Sequence, residues 1–338
     1  MTERKLATIR KIAAIEPIEG ADAIEVAVVD GWKVVVKKGE FAVDSLAVYI
    51  EIDSWVSNDI APFLSKGKEP REYEGIKGER LRTVKLRGQL SQGLLLPLEP
   101  TCVNIESELF EGLDVSVPLN IIKWERPMNA QLAGMARGNF PALVPKTDQE
   151  RIQNLTRSFA EYQQDSWSVT EKLDGSSCTF FLDIEGEFHV CSRNLDLKEE
   201  EGNSFWKVAR KFQIEDIMRR NSMLNMAIQG EMIGEGIQGN QYKTQLDFYV
   251  YDMYNTVTGK YLLPVQLKAA CEKIGLKHVP ILAEATEIKE QTIQSLLEYA
   301  EGKSELNGSV REGVVFKSNT VHDRSFKAIN NKWLLKNE

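Results

Sequence analysis

The sequence predicts an α+β fold in two domains: a small antiparallel β-barrel, then a larger domain of antiparallel sheets and helices. Three observations predict it. At 338 residues the chain exceeds what one hydrophobic core ordinarily organises. The early segments read as short period-two strands broken by Gly and Asp, whereas later ones mix that period with the 3.6-residue spacing of helices. Between residues 125 and 145, three prolines and two glycines interrupt any periodicity and place a connection there. The expected boundaries are 1–125 for the barrel, 126–145 for the connecting segment and 146–338 for the second domain.

In the first domain, residues 23–29, 32–36 and 47–52 read as strands around the turns Asp30-Gly31 and Lys38-Gly39. Runs at 81–86 and 93–97 bring the count to about five, the number in an oligonucleotide-binding (OB) barrel. In the second domain, Cys178, Phe180, Leu182 and Ile184 alternate with Thr179, Phe181 and Asp183. The turn Glu185-Gly186-Glu187 then leads into a returning strand over 188–194. Helical spacing joins Phe205, Val208, Ala209 and Phe212. It recurs over 264–274, with Gly275 as a stop, and over Ile293, Leu296, Leu297 and Ala300 before Gly302. Apolar strands are expected at 226–233, 248–253, 313–316 and 325–329.

Composition narrows the function classes. With 42% hydrophobic and 27% charged residues and no low-complexity tract, the chain is globular rather than disordered. No signal peptide and no run of about 18 apolar residues is visible, so the expected location is cytoplasmic, with no membrane and no partner protein evident. Cys102, Cys178, Cys191 and Cys271 form no Cys-x-x-Cys pair and do not cluster with His189, His278 or His322. That argues against zinc and for buried thiols in a reducing compartment. A net charge of −8 excludes coating of nucleic acid by electrostatics alone, so any such contact is local. One stretch qualifies: Lys66, Lys68, Arg71, Lys77, Arg80, Arg82, Lys85 and Arg87 face only Glu69, Glu72, Glu74 and Glu79.

The chemistry concentrates at Glu171-Lys172-Leu173-Asp174-Gly175. A free lysine, with a pKa of about 10.4, is an ammonium at neutral pH and cannot attack. Burial, another cation or a metal would favour the amine, and a metal would also neutralise a phosphate under attack. Asp174 lies two residues on, so a strand would put it on the face of Lys172, and Gly175 lets the backbone bend. Alone, a lysine before an Asp-Gly turn is an ordinary surface feature. Glu231 and Glu312 alone would be solvated carboxylates, Arg193 and Lys327 surface cations, and Phe248 a core aromatic.

Their joint order is more specific. Six runs follow one another: Glu171-Lys172-Leu173-Asp174-Gly175; Ser192-Arg193-Asn194; Gln229-Gly230-Glu231-Met232-Ile233-Gly234; Asp247-Phe248-Tyr249-Val250-Tyr251-Asp252; Arg311-Glu312-Gly313-Val314-Val315-Phe316-Lys317; Ser325-Phe326-Lys327-Ala328. In order and spacing they resemble the six motifs of the covalent nucleotidyltransferases, the polynucleotide ligases and mRNA capping enzymes, over roughly residues 145–336. The resemblance implies that Lys172 attacks the α-phosphate of ATP or GTP and becomes a lysyl-nucleotide. It further implies that Glu171, Arg193, Glu231, Phe248 and Lys327 bind the nucleotide, Phe248 by stacking on the base and Lys327 at the α-phosphate. Asp174, Glu231 and Glu312 would hold a divalent metal, Mg or Mn, mainly through water. In one respect the sequence departs from the pattern: a second lysine of the last motif is replaced by Ile329, and the next lysine is Lys332.

DNA ligases and capping guanylyltransferases carry an OB domain after the last motif, whereas here the barrel-like segment comes first and the sequence ends at Glu338. That order is similar to a branch of ATP-dependent RNA ligases of the Deinococcus and Naegleria type, as are Glu19-Gly20-Ala21-Asp22-Ala23-Ile24-Glu25 and Gly31-Trp32-Lys33-Val34-Val35-Val36-Lys37-Lys38-Gly39-Glu40. The branch implies sealing of 3′-hydroxyl/5′-phosphate nicks with RNA on the 3′-hydroxyl side, on RNA or RNA/DNA duplex, in RNA repair. Arg151 resembles the arginine used near the 5′-phosphate, with Arg157 an alternative. Arg80, Arg82, Lys85 and Arg87 are expected on the RNA backbone, unless they form only a solvated strand face. The rival readings are another covalent nucleotidyltransferase and a non-catalytic OB-type RNA- or tRNA-binding protein.

Overall fold

The computed structural model describes residues 4–105, 108–125 and 134–337. Contacts divide the chain into two units. One comprises Met1–Pro127, Ile152–Arg157 and Leu334–Glu338, the other Met128–Arg151 and Ser158–Trp333. Of the expected connecting segment, residues 126–133 lie outside the described residues.

The first unit is built of short antiparallel sheets. Trp32–Lys37 shows why they form: Trp32, Val34 and Val36 are buried, while Lys33, Val35 and Lys37 face outward. It pairs with Ile24–Val29 so that Val29 opposes Trp32, which leaves Asp30-Gly31 as a two-residue turn with Asp30 at φ 49°. A second sheet sets Leu46–Ile50 between Ala7–Lys11 and Leu94–Pro97. Ile9, Val48, Ile50, Val56 and Leu96 close the core of this unit. More strands form than the sequence predicted. Ala14–Pro17 and Arg71–Tyr73 escaped because they lie at sheet edges and bury no residue, so they carry no alternation. The expected run 81–86 shortens to Val84–Leu86, which pairs with Gln89–Ser91 in a hairpin exposed from Val84 to Gly88.

Among the described residues, the second unit contains two sheets, antiparallel except where Glu150–Arg151 runs parallel to Ser325–Ile329. In the five-stranded sheet, Ser166–Lys172 lies between Gly313–Ser318 and Ile281–Glu287, with Ser325–Ile329 beyond Gly313–Ser318. Trp167, Phe316 and Phe326 pack there, Phe316 stacked on Phe326 at 4.5 Å between ring centroids. The seven-stranded sheet has Ser176–Leu182 and Met226–Ile233 at its centre and Asp247–Asn255 next. Its far face packs on the helices Ser204–Lys211, Ile214–Arg220 and Pro264–Ile274 through Phe180, Val208, Met218, Phe248, Val250 and Leu267. Gly275 ends the last of these helices at φ 74°, as its place in the sequence suggested. The expected strand 188–194 stops at Cys191 instead, because the Ser192 N–H turns back to the Leu195 carbonyl at 2.9 Å. All four cysteines are free and buried. Among the described residues, no helix is long and apolar enough to cross a membrane.

Candidate active site

Only Leu173-Asp174-Gly175 separates Ser166–Lys172 in one sheet from Ser176–Leu182 in the other. The turn is tight: a Cβ on Gly175 would lie 2.3 Å from the Met232 carbonyl oxygen and 3.1 Å from Glu231 Cγ, so glycine is required. This brings residues from both sheets to the end of the lysine strand. Lys172 opposes Gly313, which puts Glu312 beside it, and Ser177 opposes Glu231. Lys172 Nζ donates to Glu312 Oε1 at 2.6 Å. Among the described residues, Glu312 Oε2 is buried and accepts no hydrogen bond.

The electrostatics of this cluster are frustrated. Burial by itself would lower the Lys172 pKa, but Glu312, Glu231 and Asp174 outweigh it and hold the ammonium above its ordinary value. Burial pushes the Glu231 carboxyl up to about 8; Lys172 pulls it back, and Glu312 and Asp174 push it further. One ammonium thus serves three carboxylates.

A second cluster gathers cations. Lys327 Nζ donates to Asp148 Oδ1 at 2.6 Å, and the other oxygen of Asp148 lies 3.4 Å from an Nη of Arg193. Arg193 also reaches the Thr147 carbonyl at 3.5 Å. The Tyr251 hydroxyl hydrogen-bonds Ser177 Oγ at 2.8 Å and Thr147 Oγ1 at 3.0 Å, tying this segment to the Glu231 face of the sheet. Arg151, opposite Lys327 in parallel register, is buried.

Lys172, Asp174, Glu231 and Glu312 therefore come together, and Arg193 and Lys327 meet on Asp148. Other expected residues do not join them. Phe248 lies on the opposite face of its sheet. It is 2% exposed, set edge-on to Phe180, and so close beneath Gly230 that a Cβ there would lie 2.4 Å from its ring. Strand alternation instead puts Tyr249 and Tyr251 on the Glu231 side, so base stacking by Phe248 does not fit its position. The Glu171 side chain turns away to accept the Glu305 N–H at 2.8 Å. Arg80 is held inside the first unit by Asp53 at 2.6 Å and lies 3.9 Å from the Trp124 ring centroid. Arg82, Lys85 and Arg87 are exposed on or beside the hairpin. Arg157 pairs with Glu111, and Lys332 with Glu301.

Sequence reasoning passed over Asp148, Gln238, Tyr242 and Tyr251. The alternation in Asp247-Phe248-Tyr249-Val250-Tyr251-Asp252 could have found Tyr251, since it separates the two tyrosines from Phe248. Asp148 carries no such signal.

A lysine among carboxylates, with anion-binding cations nearby, is the equipment of an enzyme that moves a phosphorylated group. The RNA ligase family model matches residues 165–329, and an OB-fold domain model matches residues 6–98. Among solved structures, the Naegleria gruberi RNA ligase with PPi shares 43% identity at TM-score 0.90, over 99% of each chain. A mutant of that ligase with ATP and Mn shares 42% at TM-score 0.91, over 98% of this chain and 99% of that one. Another mutant, without ligand, shares 42% at TM-score 0.91, over 99% of each. No curated protein matches. The chain belongs to the RNA ligase family, with an OB-fold domain preceding the nucleotidyltransferase domain. Its activity is that of an enzyme joining RNA.

Proposed function

We propose that this ligase is ATP-dependent and seals 3′-hydroxyl/5′-phosphate nicks with RNA on the 3′-hydroxyl side, through Lys172-AMP and a 5′-adenylylated strand. The observation that carries the reading is Lys172 Nζ at 2.6 Å from Glu312 Oε1, at the join of two sheets, with Glu231 and Asp174 beside it. The nucleotidyltransferase domain is taken as 146–338, joined through 126–145 to the OB domain at 1–125. Four buried free thiols support a reducing, cytoplasmic setting.

In the first step Lys172 Nζ attacks the α-phosphorus of ATP, an N–P bond forms, and the bond to the pyrophosphate oxygen breaks. The proton that Lys172 must give up has Glu312 Oε1 as its hydrogen-bonded acceptor. Lys327 and Arg193 face the phosphates, and the Tyr251 ring, rather than Phe248, takes the base. The residues present fit a divalent cation: among the described residues, Glu312 Oε2 is buried without a donor, and burial, with Glu312 and Asp174 nearby and only Lys172 to offset them, pushes the Glu231 carboxyl up to about 8. Asp174, Glu231 and Glu312 would hold it, mainly through water, and Mg and Mn both suit such oxygen ligands. When bound, it supplies charge to offset the phosphates under attack. AMP then passes to the RNA 5′-phosphate, near Arg151, and the 3′-hydroxyl displaces it. Arg82, Lys85 and Arg87 contact the RNA backbone.

The test is incubation with radiolabelled ATP or GTP and a divalent metal, followed by denaturing electrophoresis and then a nicked-duplex assay. Wild type takes label from ATP and Lys172→Ala takes none. Equal labelling of the variant, or an unlabelled wild type, rules the mechanism out.

A further inference from the structure

We propose that Tyr242 and Gln238, on the loop between Met226–Ile233 and Asp247–Asn255, are positioning residues that hold the nucleophile turn aligned for adenylation. The inference rests on the reading of Lys172 as nucleophile.

The turn lacks sheet partners. Pairing ends with Lys172 opposite Gly313 and resumes with Ser176 opposite Met232, so the peptide groups between must be satisfied elsewhere. One loop serves two of them. The Asp174 N–H donates to the Tyr242 hydroxyl oxygen at 2.8 Å, and Gln238 Nε2 donates to the Gly175 carbonyl. Tyr242 is 5% exposed, with its ring among Leu173, Ile233 and Val279, so packing fixes where its oxygen sits. Burial drives its hydroxyl pKa far above the ordinary value, which keeps it a neutral acceptor.

The loop is shaped for this task. Gly234 sits at φ 110°, where a Cβ would meet the Gln245 carbonyl oxygen at 2.3 Å, and Gln238 itself is held at φ 42°. A non-glycine residue in the left-handed region costs energy that a plain connection need not spend. Asn240 closes the loop on Thr244 through both its amide groups, and Asn307 Nδ2 fixes the Gln241 carbonyl at 3.0 Å. Rotation of the Leu173–Asp174 peptide would shift Lys172 Nζ and the Asp174 carboxylate together, away from Glu231 and Glu312. A misplacement of about 1 Å in such a cluster slows chemistry by about 100-fold.

The experiment is single-turnover formation of protein–AMP at varied ATP. Tyr242→Phe keeps the ring and deletes the acceptor. Gln238→Ala removes an amide on an exposed residue, where folding tolerates the change. Both variants are expected to lose about 10- to 100-fold in maximal rate, with half-saturating ATP altered less than about threefold, since neither side chain is placed against the nucleotide. Wild-type maximal rates in both variants, or losses confined to half-saturating ATP, overturn the inference. If Tyr242→Phe does not fold, Gln238→Ala decides alone by the same criterion. An unlabelled wild type overturns the nucleophile reading and this inference together, whereas a labelled wild type with unaffected variants overturns this inference only.

Discussion

Asp148 holds the two cations expected to receive the nucleotide's phosphates, so its replacement by asparagine should tighten nucleotide binding. The carboxylate lies 2.6 Å from Lys327 Nζ and 3.4 Å from Arg193, and a triphosphate must compete with it for both. Two unit charges about 4 Å apart attract by about 4 kcal/mol at an effective dielectric of about 20. The Asp148 side chain is 26% exposed and that of Arg193 35%, so solvent screening cuts this sharply. Allowing for that, and mostly through the 10%-exposed Lys327, Asp148 withholds about 1–2 kcal/mol from an incoming anion. Asp148→Asn should therefore lower half-saturating ATP for protein–AMP formation about 5- to 30-fold, at about 1.4 kcal/mol per tenfold. Pyrophosphate should inhibit the variant at correspondingly lower concentration. The variant, left with two adjacent cations, should also melt earlier in low-salt buffer and recover when pyrophosphate is added. Unchanged or higher half-saturating ATP with a fallen maximal rate would refute the reasoning, because Asp148 would then be orienting Lys327 for catalysis rather than competing with the phosphates.

Other predictions separate roles that the sequence merged. Tyr251→Leu should raise half-saturating ATP by an amount matching the loss of about 1–3 kcal/mol of base stacking, and Tyr251→Phe should restore most of it. Phe248→Leu should lower the melting temperature and leave ATP dependence alone, as befits a side chain 2% exposed beneath Gly230. Joint alanine substitution of Arg82, Lys85 and Arg87 should reduce the slope of log affinity for nicked duplex against log salt by about 2–3, while Arg80→Ala should act on stability through Asp53 and Trp124. Glu231 binds its proton more tightly folded than unfolded, so the stability it contributes is present below its ordinary value near 4.5 and is lost as pH rises through about 8. Urea unfolding in chelator across that window should show a decline in wild type that Glu231→Gln lacks; parallel curves would contradict the burial argument.

What could be read from sequence follows from where each residue's surroundings come from. The Asp30-Gly31 hairpin and the helix ending at Gly275 were legible because turn and cap are written within a few residues. Ala14–Pro17 and Arg71–Tyr73 were not, since an edge strand with no buried face obeys no period. At the site, Lys172, Asp174, Glu231 and Glu312 each sit at a strand or beside a glycine that the sheet junction requires, so their order survives as a pattern. Phe248 was misassigned because a strand has two faces and a motif does not say which one looks onto the pocket; only the contact with Gly230 decides it.

Counter-ions are the least legible part, and they set how the site works. Three carboxylates share Lys172 at one end, and at the other Lys327 and Arg193 share Asp148. Neither end is neutral, yet in each the charges already have protein partners, so a metal and a nucleotide enter by exchanging partners as well as by adding the missing charge. Exchange makes affinity a difference between two sets of ion pairs, and substitution of a residue that touches neither ligand can then change it in either direction. Asp148 comes from a segment that returns to the sheet through Tyr251 and Ser177, and no local pattern in the sequence could specify that tertiary contact.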